Sequence, residues 1–178
     1  MSETTQETIH EPGEAGAQAE AAGVLSQYLT FVLDGEDYGA EILRVQEIKG
    51  WEGVTRVPHT ASYILGVMNL RGTVVPVVCL RRRFGLPTVE FGPATVVIVV
   101  RVHAGRREKV VGMVVDGVSD VFNVAAGDIQ PPPQIGDIAR SGFIAGLASS
   151  GEKMVMLLDI DRLIGGTLDS EDGAPALH

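Results

Sequence analysis

Residues 64–85 read "ILGVMNLRGTVVPVVCLRRRFG" and residues 144–165 read "IAGLASSGEKMVMLLDIDRLIG". Laid on each other at a shift of 80, they match Ile64 with Ile144, Gly66 with Gly146, Val75 with Val155, Leu80 with Ile160, Arg82 with Arg162 and Gly85 with Gly165. In each copy two apolar runs flank a glycine-bearing turn, and a short helical stretch follows. This is the pattern of a hairpin that ends in a helix. Gly72 supplies the backbone freedom of a tight turn and leaves Arg71 at its tip. Pro76 cannot donate to a ladder, so its strand should be an edge or be bulged there. The second copy has Gly151 in place of Arg71, so the turn alone does not require an arginine.

A second match, at a shift of 73, lays "GAEILRVQEI" (39–48) on "GMVVDGVSDV" (112–121). Gly39 falls on Gly112, Ile42 on Val115, Val45 on Val118, Glu47 on Asp120 and Ile48 on Val121. The preserved order indicates a duplication, which decides the architecture before any single element is assigned. The expectation is two similar small barrels. Each begins with a hairpin, passes a proline-marked connection ("RVP" at 56–58, "QPPP" at 130–133) and ends in a second hairpin plus helix.

Short β-branched runs bounded by Gly, Pro and Asp place strands at 27–33, 37–42, 46–50, 64–71, 73–79, 94–103, 108–115, 117–122, 142–148 and 153–158. Helices are expected at 80–84 and 160–164, with Asp159 or Asp161 accepting backbone hydrogen bonds at the second. Of the net charge of -9, the first 26 residues carry five glutamates and residues 166–178 carry Asp169, Glu171 and Asp172, with no Lys or Arg in either. These ends are expected as a disordered acidic arm (1–26) and a disordered acidic tail (166–178) around one domain, 27–165. The domain itself is nearly neutral, which gives no general attraction to nucleic acid. No signal or transit peptide is legible, the longest apolar run (96–100) is too short to span a bilayer, and the lone Cys79 cannot form an internal disulfide. A cytoplasmic protein without membrane insertion is expected.

Few residues offer chemistry. His10, His59, His103 and His178 are scattered and lack metal-site spacing. No phosphate loop or nucleophile elbow is present, and Cys79 sits inside an apolar strand. Helix capping accounts for Asp159 and Asp161. No enzyme, cofactor or metal is expected. The basic runs at 81–83 and 106–107 raise a single-stranded nucleic-acid-binding barrel as the competing class, but the strands carry Val and Ile where such binders stack aromatics. What remains are two apolar strips, each with one charge: Val45 and Ile48 beside Glu47, and Val118 and Val121 beside Asp120. Strict alternation puts Val45 and Glu47 on one face and Ile48 on the other. Such a strip either packs between the barrels or forms a partner surface.

The segments "YLTFVLDGEDYGAEILRVQEIKGWEGVTRVP", "YILGVMNLRGTVVPVVCLRRRFGLP", "VGMVVDGVSDVFNVAAGDIQPPP" and "FIAGLASSGEKMVMLLDIDRLI" closely resemble, in order, the motifs of the bacterial chemotaxis coupling protein CheW family, over about 27–165. The resemblance implies an all-β fold of two five-stranded SH3-like barrels. It implies a free-standing adaptor without catalytic activity or cofactor, located at receptor arrays on the inner face of the membrane. The implied partners are the signalling tip of methyl-accepting chemoreceptors, the regulatory domain of the chemotaxis histidine kinase, and other copies of the chain in rings. Carried over by position, the receptor groove would include Val45, Glu47, Arg71, Val96, Val118 and Val121, and kinase contacts would involve Leu65, Gly66, Gly72, Gln130 and Ile135. An adaptor of a chemosensory pathway that does not drive flagella fits the same motifs. The family usually has an acid where this chain has Cys79; its repeat partner Asp159 keeps one.

Overall fold

The computed structural model describes residues 25–132, 134, 142–165 and 168. Ten strands follow the expected order: β1 Leu25–Leu33, β2 Glu36–Glu41, β3 Val45–Gly50, β4 Ile64–Leu70, β5 Thr73–Cys79, β6 Val96–Ala104, β7 Arg107–Val115, β8 Gly117–Ala125, β9 Ile144–Ser150 and β10 Lys153–Leu158. Helix α1, Leu80–Arg83, follows β5, and a π-helical turn at Asp161–Gly165 follows β10. Most of the arm and tail lies outside the described residues. Two ends differ from expectation: β1 starts at Leu25 rather than 27, and Leu168, placed in the tail by composition, is buried in the core.

The strands form two five-stranded sheets, in the orders β8-β1-β2-β10-β9 and β3-β6-β7-β5-β4. Replacing each strand of one order by its repeat partner gives the other, so the two are the same sheet built twice. The duplication is real, but the halves are not the barrels. Each half contributes its first hairpin to the sheet that holds the other half's remaining three strands. Parallel pairing fixes the exchange. Gly39 of β2 lies beside Leu157 of β10, and Gly112 of β7 lies beside Val77 of β5, which are the same two positions after shifts of 73 and 80. Both positions are tightly packed. A Cβ on Gly39 would stand 2.9 Å from Leu157 Cδ2, and one on Gly112 would stand 3.0 Å from Val97 Cγ1.

Each sheet curls until the chain leaving one edge strand reaches the other edge. Thr55 bridges Val67 in one sheet, and Gln130 bridges Leu147 in the other. Close approach at those corners excludes side chains, because a Cβ on Gly66 would lie 2.1 Å from the Thr55 oxygen and one on Gly146 2.9 Å from the Gln130 oxygen. Pro76 departs from the edge-strand reading, since β5 lies between β7 and β4. Its missing N–H is tolerated because the parallel ladder to β7 begins only at Val77. The bulge lies elsewhere, between Ile64 and Gly66.

The unbroken run of buried aliphatic residues at 97–100 is explained by burial on both faces. Val97 and Val99 point into one barrel with Val77 and Val114, while Ile98 and Val100 turn to a larger core between the sheets. That central core draws Leu29, Phe31 and Leu33 from one sheet, Ile98, Val100 and Met113 from the other, and Leu80, Ile160 and Leu163 from the helical turns. A third cluster around Val124, Val155 and Leu157 fills the second barrel.

Two ion pairs of opposite polarity tie down the points where the chain crosses between sheets. Arg81, at the start of α1, donates to both carboxylate oxygens of Asp116 at 2.7 and 2.6 Å and to the Pro87 carbonyl at 2.8 Å. Asp116 Oδ2 also accepts from the Asp34 backbone N at 2.9 Å. In the other half Asp161 takes the place of Arg81, accepting from Arg44 at 2.8 Å and from the His103 backbone N at 2.7 Å. The second helical turn is capped by Asp159, which accepts from the Arg162 backbone N. The Arg81 guanidinium holds the Asp116 carboxyl below the usual carboxylate range. With its pKa lowered on folding, Asp116 contributes stability that is present above about pH 4 and lost as pH falls through the folded value.

Because the central core joins both sheets, thermal unfolding should be one transition at pH 7. Asp116→Ala should destabilise the whole chain by about 3 kcal/mol by leaving the buried Arg81 with only the longer contact to Asp34 at 3.5 Å as its ion pair, and the gap to the parent should close as pH falls below about 4. Calorimetry or circular dichroism melts across pH check both.

Candidate functional site: the rim between the barrels

The two edge strands β3 and β8 carry the apolar strips, and each is bulged at the same place. In β3 the register slips between Val45 and Glu47, so Val45 pairs with Val100 and Ile48 with Ile98. In β8 it slips so that Val118 pairs with Phe31 and Val121 with Leu29. Residues three apart thereby come onto one face, which corrects the strict alternation that separated Val45 from Ile48. Thr30 fills the second bulge: its Oγ donates to the Asp120 carbonyl at 2.8 Å and accepts from the Asp120 N at 2.9 Å.

The face concerned is the one that looks into the central core. Val45, Val96 and Val118 pack half-buried against its margin. Ile48 and Val121 extend past it, 46% and 41% exposed. Val96 shares the parity of Ile98 and Val100 in β6 and stands on the same side. Five aliphatic side chains from two sheets therefore fringe the inter-barrel core, of which Ile48 was not among the groove residues that the resemblance implied.

Glu47 lies on the opposite face of β3, paired with Val99. There its Oε2 lies 3.1 Å from Arg71 Nη2, with side chains 27% and 80% exposed respectively. The pair links β3 to the β4–β5 turn across the barrel mouth. Arg71 and Gly72 both have positive φ, 51° and 88°, as a two-residue primed turn requires, and the Asn69 side chain accepts from the Gly72 N at 2.7 Å. For arginine that conformation costs on the order of 1 kcal/mol.

Leu65 and Gly66 occupy the corner formed with Thr55. Leu65 lines a cleft of about 500 Å³ with Trp51, Val54, Arg56 and Phe91. Gln130 occupies the matching corner of the other barrel, beside Gly146. Gly72 is at the far end of β4, roughly 20 Å away along the strand, and groups with Arg71 instead. Ile135 lies outside the described residues.

Comparison with known proteins settles the family. The CheW-like domain model matches residues 27–167. The chain belongs to the CheW-like domain family. It is 44% identical over 138 residues to the chemotaxis protein CheW of Klebsiella aerogenes, covering 78% of this chain and 81% of that one. It is 36% identical over 137 residues to the chemotaxis protein CheW of Rhizobium meliloti, covering 77% and 86%. The crystal structure of the scaffolding protein TtCheW from Thermoanaerobacter tengcongensis is similar, with a TM-score of 0.70 and 29% identity over 81% of this chain and 97% of that one.

Two glycines, one at a corner and one at the hairpin tip, separate fold from contact. Gly66→Ala forces a Cβ into the Thr55 carbonyl at a φ of +148° and should cost about 3 kcal/mol or more. Gly72→Ala, with open space around it, should cost only about 1 kcal/mol. Denaturant melts of the two variants check the ranking.

Proposed function

We propose that this CheW-family chemotaxis adaptor acts by binding alone, coupling chemoreceptor signalling tips to the regulatory domain of the chemotaxis histidine kinase on the cytoplasmic side of the membrane. The observation that carries this reading is the aliphatic fringe at the inter-barrel core. Val45 and Val96 of one sheet and Val118 of the other pack half-buried against the same core, and Ile48 and Val121 continue the two strips into solvent. An amphipathic helix can lay its apolar stripe on such a surface. No helix among the described residues is long and apolar enough to cross a membrane, so array attachment is assigned to partners.

The matching corners at Leu65–Gly66 and at Gln130 support two kinase contacts, one per barrel, as alternating rings of adaptor and kinase require. Two attachment points on one chain give a second contact its effective concentration without new surface. Arg71 fits a contact role better than a structural one. Its salt bridge is exposed and contributes about 0.2–1 kcal/mol, which barely offsets the left-handed backbone.

Arg71→Asn, which tolerates the same backbone, should leave stability within about 1 kcal/mol of the parent. Val121→Glu should do likewise while placing a charge in the apolar fringe. Both should weaken pull-down of a receptor signalling tip, Val121→Glu the more, whereas retained binding by Val121→Glu in a folded chain would contradict the reading.

A further inference from the structure

The β6–β7 hairpin projects a basic end. Arg101, His103, Arg106, Arg107 and Lys109 crowd it, with Glu108 as the acid on the same hairpin. Glu108 lies 3.6 Å from Arg101. Arg106 and Arg107 are exposed and have no acidic partner among the described residues.

The C-terminal end of the domain is delivered to this hairpin. Asp161 accepts from the His103 backbone N at 2.7 Å, and a Cβ on Gly165 would stand 2.7 Å from the His103 carbonyl oxygen. Leu168 is buried in the central core that also holds Val102 and Ala104. The next residues are Asp169, Glu171 and Asp172, in a segment 166–178 with no Lys or Arg. Gly165 stands against His103, the turn at Gly105 and Arg106 lies two and three residues past His103, and three or four extended residues span roughly 10–14 Å.

We propose that the acidic stretch 169–172 of this chain docks on the β6–β7 hairpin tip and covers Arg106 and Arg107. Charge complementarity, an anchored residue beside the stretch and a span within reach all favour this occupant. Bare, the two arginines attract polyanions through counterion release. Covered, they do not, and the acidic stretch keeps this end of the adaptor off nucleic acid and other anionic polymers.

The full chain carrying Ser170→Cys with a nitroxide label tests the contact directly, since Cys79 is buried. Backbone amides of 103–108 should broaden at low salt. They should recover at about 0.5 M salt, where screening shortens to roughly 4 Å, and in the Arg106→Ala/Arg107→Ala background. Broadening that is absent, or that survives both changes, overturns the proposal. Retention on a heparin column provides the second readout. Asp169→Asn/Glu171→Gln/Asp172→Asn should elute later than Glu3→Gln/Glu7→Gln/Glu11→Gln, which changes net charge equally. Equal elution of the two variants overturns the proposal as well.

Discussion

The parallel pairing between each opening hairpin and the closing hairpin of the other half defines how the chain is threaded. It passes through Gly39 and Gly112, where an added Cβ would press on the side-chain tips of Leu157 and Val97. That pairing is the exchange of hairpins. With it come two crossings between sheets among the described residues, at residues 42–44 and near Asp116. The strands that begin at those crossings, β3 and β8, are the edges of their sheets. They are also the strands whose bulges bring aliphatic residues onto the face of the shared core, so the threading and the aliphatic rim have one origin.

The same arrangement explains where stability resides. Neither barrel interior is large, whereas the core between the sheets takes the biggest side chains from both and from the helical turns. Burial there is worth about 25 cal/mol for each Å² of apolar area removed from water, and it is forfeited by both barrels together. Arg83 adds to the junction from α1. Its guanidinium sits 4.3 Å from the Phe143 ring centroid and 4.8 Å from that of Tyr63, which are repeat partners at a shift of 80, and it donates to the Leu163 carbonyl. The crossings are held by pairs of reversed polarity, Arg81 with Asp116 and Arg44 with Asp161. Similar geometry has thus been kept while the charges were traded.

Much of this was legible in the sequence. All ten strands, the turn at Arg71–Gly72 and the duplication follow from apolar periodicity, glycine placement and self-similarity. The hairpin exchange did not, because similarity between halves says nothing about which sheet a hairpin joins, and the pairing of Gly39 with Leu157 is far from local. The shared face of Val45 and Ile48 was hidden for a different reason. One inserted residue at a bulge reverses the parity of everything beyond it, and nothing in "RVQEI" marks the insertion. Pro76 was expected on an edge or at a bulge and lies at neither, because a parallel ladder that starts one residue late looks, from sequence, like no ladder at all. The resemblance of ordered motifs supplied the valines and corner positions of the candidate site; composition alone left them divided between packing and contact.

The central claim is that one partner helix is held by both sheets at once, across the core that the exchanged hairpins create. Methyl-resolved NMR of the valine- and isoleucine-labelled chain, titrated with a receptor signalling-tip fragment, tests it most directly. Val45, Ile48 and Val96 of one sheet should shift together with Val118 and Val121 of the other, along a single binding curve. Shifts confined to one sheet, or absent from these five residues while binding occurs, would contradict it.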